Sequence, residues 1–215
     1  MLTLKMKPIP RVPVVGASLT KKWHQTAALC MGLLSANGAS AALVSAFGGQ
    51  IVNDTTNNIT WLANANLAAT NTFGVTGINA NGSMRWYTAQ NWISAMNAAN
   101  YLSYNDWRLP KSDTCMGYNC TSNEMGNLFY IGLGGVARSS ILAAHNANLA
   151  LFNNVQSGSY WSGKEYAPGT VCAWSFGTYG GFQDTYGKGD NLFVVAVRSG
   201  QISAVGGPIR LRKLR

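Results

Sequence analysis

Asn105-Asp106-Trp107-Arg108-Leu109-Pro110 is the first of four short motifs that stand out in the second half of this 215-residue chain. The other three are Tyr160-Trp161-Ser162-Gly163, Ala173-Trp174-Ser175-Phe176 and Val194-Val195-Ala196-Val197-Arg198. Large aromatic side chains usually pack in a core or against a sheet, and we expect this of four tryptophans: Trp61, Trp86, Trp107 and Trp174. The motif arginines, Arg108 and Arg198, are expected to pair with carboxylates or loop carbonyls.

The first half of the chain predicts a hairpin followed by a helix. Residues 43 to 62 read as a hairpin, because Gln50-Ile51-Val52 and Ile59-Thr60-Trp61-Leu62 flank a turn-rich run. Residues 63 to 83 lack periodicity and are predicted to be loop. From Met84 the apolar residues recur at helical spacing, which predicts an amphipathic helix ending near Asn100. Its buried stripe comprises Trp86, Ala89, Trp92, Ile93 and Met96.

The second half predicts a second helix and several strands. Thr121 and Glu124 have the spacing of a capping box, and the helix that follows has an apolar face of Met125, Leu128 and Phe129. Strands are predicted over 159–161, 171–176 and 192–198, separated by turn-rich runs at 163–170 and 177–191. The pattern indicates an α+β domain, with two helices packed with a twisted antiparallel sheet and long loops.

The net charge of +9 comes from the two ends of the chain. Nine of the sixteen lysines and arginines precede residue 42 or fall in the last six residues, whereas all seven Asp and Glu residues lie between. Residues 42–209 are therefore formally neutral. Nucleic-acid binding is not expected, because it requires clustered Lys and Arg side chains that neutralise phosphates.

The first 41 residues have the parts of a secretory signal peptide. A basic stretch ends at Lys21-Lys22, a short apolar run covers 27–34, and Ala39-Ser40-Ala41 precedes the expected cleavage point. Cleavage would leave a domain over 42–203 and a basic disordered tail over 204–215. The apolar run is shorter than the roughly 20 residues that span a bilayer, so no stable membrane anchor is expected. We expect an exported protein, extracellular or at the cell surface, with the periplasm as the alternative.

Export would place the cysteines in an oxidising compartment, where disulfides persist. Removal of Cys30 leaves Cys115, Cys120 and Cys172, which allow three single pairings. The local pairing of Cys115 with Cys120 is favoured, and Cys172 is expected to be a small buried side chain beside Trp174. A zinc site is not expected, because it would need a fourth ligand besides the three cysteines, and His145 is the only histidine left after cleavage.

The order and spacing of the four motifs resemble the bacterial DUF1566 domain, also called the Lcl C-terminal-like domain. The likeness extends from about Gly49 to Gly200 and includes Met84-Arg85-Trp86 and the run from Asn123 to Tyr130. It implies a fold similar to C-type-lectin-like and formylglycine-generating-enzyme-like domains. Exported relatives often end in a PEP-CTERM sorting tail, and this chain departs from that pattern at Val205.

The resemblance implies a secreted, non-catalytic recognition or adhesion module, because the collagen-like adhesins that name the family bind sulfated polysaccharides. We expect the loops over 163–170 and 177–191 to bind an extracellular glycan or surface polymer, since sugars stack on exposed aromatic rings. The candidate contacts in or beside these loops are Trp161, Lys164, Glu165, Tyr166, Tyr179, Asp184, Tyr186, Asp190 and Asn191.

Two alternatives remain open from the residues alone. One is an enzyme of unknown reaction on a formylglycine-generating-enzyme-like scaffold, although the sequence singles out no activated nucleophile, base or metal. The other is a calcium site built from the oxygens of Glu165, Asp184, Asp190 and Asn191. The chain has neither a lectin-type Glu-Pro-Asn motif nor the spacing of a calcium loop, so no cofactor is expected.

Overall fold

Two antiparallel sheets and two α-helices make up the part of the chain that the computed structural model describes, residues 43–144 and 146–202. The predicted α+β class is confirmed, with two sheets in place of one. The expected signal peptide and tail and His145 lie outside the described residues. Within those residues, no helix is both long enough and apolar enough to cross a membrane.

The first sheet contains the predicted hairpin. Its strands are β1 (Leu43–Ala46), β2 (Ile51–Asp54) and β3 (Ile59–Leu62), and the last strand of the chain, β7 (Val197–Ser199), pairs with β3. The β2–β3 turn is closed by the Asp54 carboxylate, which accepts a hydrogen bond from the Asn57 backbone N–H at 2.9 Å. Beyond β7, the backbone groups of Arg108 and Val197 exchange hydrogen bonds of 2.8 and 2.9 Å. The first and last of the four motifs therefore meet at this edge.

The second sheet is a meander of β4 (Ser159–Glu165), β5 (Cys172–Gly177) and β6 (Phe182–Gly187). Strand β6 lies inside the 177–191 run, so the prediction of a loop there is wrong. Glycine and tyrosine suggested turns, but the alternating Phe182, Asp184 and Tyr186 form one face of a strand that pairs with β5.

The predicted strand over 192–198 is also mostly wrong, because only its last two residues belong to β7. The described residues form two hydrophobic cores, and the residues before β7 run between them. Val194 and Ala196 pack into the core that contains helix α1 (Trp86–Ala98), whereas Val195 and Val197 pack into the core that contains Trp61. Burial on both sides explains why this segment is continuously apolar without extending a sheet.

Helix α1 follows the prediction closely. All five residues of its expected stripe are buried. The four tryptophans expected to pack are buried as well: Trp61, Trp86, Trp107 and Trp174.

Helix α2 (Glu124–Asn127) continues into a wider π-type turn over Leu128–Gly132. Its predicted apolar face is buried, but the predicted capping box is wrong. The cap is Asn123, whose side-chain oxygen accepts a hydrogen bond from the Gly126 N–H at 2.7 Å. Only glycine fits at residue 126, because a Cβ there would lie 1.7 Å from the Cys120 carbonyl oxygen.

The motif arginines are structural, as predicted. Arg108 donates two hydrogen bonds of 2.7 Å to the Glu124 carboxylate, which explains why Glu124 does not reach back to Thr121. Arg198 donates to both oxygens of Asp106 at 2.7 and 2.9 Å, and its guanidinium lies 4.3 Å from the Tyr104 ring centroid. These bidentate pairs hold the motif segments in place.

Candidate functional site

A disulfide between Cys115 and Cys120 closes a short loop, as predicted, and leaves Cys172 as a free, half-buried thiol. The loop is attached to the outer edge of β6, because Gly117 and Gln183 exchange two backbone hydrogen bonds of 2.8 Å. The Gln183 side chain also donates to the Asp113 carboxylate at 2.8 Å. A disulfide of this kind is typical of proteins that leave the reducing cytosol.

One face of the second sheet carries two half-buried aromatic residues of β6, Phe182 and Tyr186. Phe182, Asp184 and Tyr186 alternate along β6 and therefore share a face. Their paired neighbours in β5, which lie on the same face, are Gly177, Ser175 and Ala173. The half of this face over β4 and β5 is covered by α1 and its neighbours. The half over β6 is less covered, and we call it the open half: Phe182, Asp184 and Tyr186 are half-buried there, and Tyr186 also packs against the core that contains α1.

Two tyrosines from outside β6 join this open half. The ring of Tyr179 lies against Gly177, where an added Cβ would be 2.5 Å from the ring, and its side chain is 47% exposed. The ring of Tyr118, from the disulfide loop, meets Phe182 edge-on with centroids 4.7 Å apart. Arg138 lies over the outer face of the site, 5.4 Å from the Tyr118 centroid. We call the set Tyr118, Tyr179, Phe182, Asp184 and Tyr186 the aromatic strip.

The electrostatic character of the strip is set by Asp184. One of its carboxylate oxygens accepts a hydrogen bond from the Thr185 N–H at 2.8 Å, and none of the ion pairs among the described residues involves it. Burial raises the pKa of the Tyr179 phenol, and the nearby Tyr186, Asp184 and Tyr118 raise it further. The charged groups of the strip are therefore the Asp184 carboxylate and, beside Tyr118, the Arg138 guanidinium.

A second group of aromatic and charged residues lies at the end of the strip. Glu165 is paired with Ala173, which is paired in turn with Tyr186, so Glu165 and Tyr186 share the same face. Glu165 forms an ion pair with Lys188, whose side chain is only 7% exposed. The Lys188 ammonium lies 4.6 Å from the Trp86 ring centroid and 5.2 Å from that of Tyr87. The Glu165 carboxylate raises the pKa of Lys188 and keeps it charged.

Trp161 is on the same face as the strip but cannot contact a ligand. It is paired with Ser175, is 0% exposed, and donates its indole N–H to the Met84 carbonyl at 2.8 Å. The expectation that Trp161 forms an exposed stacking platform is therefore wrong. The physical reason is that α1 packs over this part of the sheet.

Three other expected contacts lie outside the strip. Tyr166 is half-buried with its ring edge-on to Trp174 at 5.4 Å. Asp190 and Asn191 are exposed in the turn after β6, and the Asp190 carboxylate lies 3.2 Å from where a Gly187 Cβ would be, on the opposite face of the sheet. The carboxylates considered for calcium are thus apart from one another. Across 43–144 and 146–202, no three His, Cys, Asp or Glu side chains are grouped to hold a metal ion.

Lys164 lines a separate concavity of about 460 Å³, which we call the basic groove. Ile93, Leu109 and Pro110 supply apolar wall, and Gln90, Lys111 and Lys164 supply polar groups. Arg108 also borders the groove, but Glu124 neutralises it. Lys111 and Lys164 take no part in the ion pairs among the described residues.

Sequence reasoning brought forward Tyr179, Asp184 and Tyr186 but missed their neighbours Tyr118 and Phe182. Tyr118 drew attention only as part of a cysteine loop. The available signal was the alternation of Phe182, Asp184 and Tyr186, which is typical of a strand with one distinctive face.

The comparisons with known proteins agree with the motifs. No curated protein matches the chain. The family model of the Lcl C-terminal domain matches residues 50–198, which include both sheets except β1 and the end of β7, both helices and all four motifs. The chain therefore belongs to the Lcl C-terminal domain family.

Proposed function

We propose that this protein is an exported, non-catalytic recognition module that binds an extracellular glycan or surface polymer along the aromatic strip. The observation that carries the proposal is the open face of β6, where Tyr179 and Tyr186 flank Asp184 and Tyr118 extends the surface. Exposed aromatic side chains grouped on one surface are characteristic of binding sites.

The chemistry of the strip suits a hydroxyl-rich chain better than an apolar partner. Tyrosine offers a flat apolar ring for stacking together with a hydroxyl group, and it loses little conformational entropy when it is immobilised. The Asp184 carboxylate adds an acceptor for ligand hydroxyl or amino groups.

The length of the strip favours a linear polymer. From Phe182 to Lys188 the strand covers roughly 20 Å, and Tyr87, which is 60% exposed, continues the aromatic surface beyond Lys188. The strand holds Phe182, Asp184 and Tyr186 more rigidly than a loop would, which lowers the entropic cost of binding.

Glycan-array binding tests the proposal, with Tyr179→Ala as the site variant and Tyr104→Ala as the matched control. Tyr104 is a half-buried tyrosine whose ring stacks on Arg198. We expect Tyr179→Ala to weaken binding by about tenfold or more, and Tyr104→Ala to leave it unchanged. Flat binding across neutral, amino and sulfated glycans would refute the proposal.

Two controls show whether binding on the array comes from the strip or from another source. A version ending at Ser203 lacks the basic residues from Arg210 to Arg215, which attract sulfated glycans non-specifically. Binding with and without EDTA separates this site from a calcium-dependent one, and we propose that binding is independent of calcium.

A further inference from the structure

We propose that the ligand of the aromatic strip carries ammonium groups, as an amino-sugar polymer does, and that Tyr179, Asp184 and Tyr186 bind one of them. The inference rests on the proposed function and names the chemical class of the ligand. It is argued from the arrangement of the three side chains and from a second ammonium site within the same fold.

The three side chains are neighbours on one face of β6, where Tyr186 and Asp184 both act on the Tyr179 phenol. Asp184 and Tyr186 are two residues apart on β6 and point to the same side, so their Cα atoms are about 7 Å apart. Tyr179 approaches the same face from the β5–β6 turn, where its ring lies against Gly177. Two aromatic rings beside a carboxylate are the chemistry that recognises ammonium ions, through cation–π attraction and ion pairing.

Lys188 shows that this fold already binds an ammonium group in this way. Its ammonium is held by the Glu165 carboxylate, by the Trp86 ring at 4.6 Å and by the Tyr87 ring at 5.2 Å. Glu165 is on the same sheet face as Tyr186. Tyr179, Asp184 and Tyr186 repeat the same combination of two rings and one carboxylate, one step along the strip.

The described residues supply no cation to Asp184. Lys188 is engaged by Glu165, and the Arg138 guanidinium lies over Tyr118. Asp184 is half-buried, so an opposite charge from the ligand would interact with it more strongly than at a fully exposed site. A sulfate or carboxylate group at the same position would be repelled by the Asp184 carboxylate.

Three hexasaccharides with one β-1,4-linked glucose backbone test the inference on the full chain by titration calorimetry in a mildly acidic buffer, in which glucosamine amines are protonated. They differ only at carbon 2, which bears a hydroxyl in cellohexaose, an acetamido group in N-acetylated chitohexaose and a protonated amine in chitohexaose. We expect chitohexaose to bind about tenfold more tightly than the other two.

Substitutions assign that preference to the site. Asp184→Asn should bring the three affinities to within about twofold, whereas Asp190→Asn, the same charge change on the opposite face, should leave the preference intact. Tyr179→Leu removes one exposed ring without touching the carboxylate and should also reduce the preference. The thermal unfolding midpoint of each variant separates loss of the site from loss of the fold.

Each contrary result has a distinct meaning. If chitohexaose binds no better than the acetylated or hydroxyl form, but Tyr179→Leu still weakens binding, the ammonium inference is wrong and the strip remains the glycan site. An equal loss of preference in Asp184→Asn and Asp190→Asn would mean general charge attraction and would overturn the inference. Absence of binding by all three oligosaccharides would overturn it as well, and the array then decides the proposed function.

Discussion

The aromatic strip on β6 presents rings around a carboxylate, whereas the basic groove beside Pro110 presents two lysines over an apolar wall. Each surface also contains an internal ion pair, Lys188 with Glu165 at the strip and Arg108 with Glu124 at the groove. In both places the paired charges stabilise the fold. The other charged groups are Asp184 and Arg138 at the strip, and Lys111 and Lys164 at the groove.

A formally neutral domain thus contains two surfaces with different charged groups. The charge balance predicts no nucleic-acid partner, but it does not show how the charges are distributed. We propose that a polymer with ammonium groups prefers the strip, where Asp184 forms none of the ion pairs among the described residues, and that an anionic polymer prefers the groove.

Stability should depend far more on the covered half of the sheet face than on its open half. Trp161→Ala should lower the free energy of unfolding by about 3–5 kcal/mol, because it leaves a cavity under α1 and removes a buried hydrogen bond. Tyr179→Ala should change it by less than about 1 kcal/mol, since that ring is half exposed. Urea unfolding of both variants measures the difference. Comparable losses would show that the strip is part of the core.

The next effect concerns the disulfide loop, which carries Tyr118 and also packs against the start of α2 through Cys120. Replacing Cys115 and Cys120 by serine should cost about 2 kcal/mol of stability, the value that loop-closure entropy gives for so short a loop. The same change should weaken glycan binding, because Tyr118 is anchored by this loop. Denaturant unfolding and calorimetry of the double variant check both expectations. Unchanged glycan affinity would remove Tyr118 from the site.

Substitutions in the basic groove should have a smaller effect, on the affinity for a sulfated oligosaccharide. Lys111→Gln and Lys164→Gln should each weaken the binding of a sulfated oligosaccharide by about threefold to fivefold at low salt, as for partly exposed ion pairs. Neither variant should change the affinity for chitohexaose. Calorimetry with both ligands and the version ending at Ser203 checks this. If the lysine variants weaken both ligands equally, the two surfaces are not independent.

The smallest effect is on the loss of stability at acidic pH. It depends on Asp106 and Asp113, whose carboxylates lie outside both surfaces. A hydrogen bond from Arg198 lowers the pKa of Asp106; burial opposes ionisation of Asp113, but hydrogen bonds from Ser122 and Gln183 outweigh it and lower its pKa too. Because the folded-state pKa values are depressed, their stabilisation is present above the unfolded value of about 3.9 and is lost as the pH falls further.

Asp106→Asn should therefore cost less than about 1 kcal/mol at neutral pH and reduce the dependence of stability on pH below about pH 4. Thermal unfolding midpoints measured at neutral and acidic pH check the sign. Asp190→Asn is the control, since its carboxylate is exposed. An unchanged acid response in Asp106→Asn would show that the Arg198 pair contributes little to stability.

Several features were predictable because they depend on residues close together in the chain. The stripe of α1 repeats at helical spacing, the β2–β3 hairpin surrounds its own turn, and Cys115 is five residues from Cys120. Strand β6 was missed for the opposite reason. Its glycines and tyrosines are typical of turns, and it becomes a strand through pairing with β5 and with Gly117 of the disulfide loop.

The amino-acid sequence was sufficient to predict the family, the α+β class, helix α1 and the disulfide. These depend on helical periodicity, on the order of the motifs and on the short spacing of two cysteines, all of which can be read from the sequence alone. It could not decide between Trp161 and Tyr186 as ligand contacts, although both are aromatic and share one sheet face. Burial and charge pairing depend on residues that are distant in sequence. Helix α1 and its core bury Trp161 completely but leave Tyr186 half-buried, and Lys188 pairs with Glu165 and not with Asp184. Only the tertiary structure therefore shows which rings stay partly exposed and which carboxylate lacks an ion pair among the described residues.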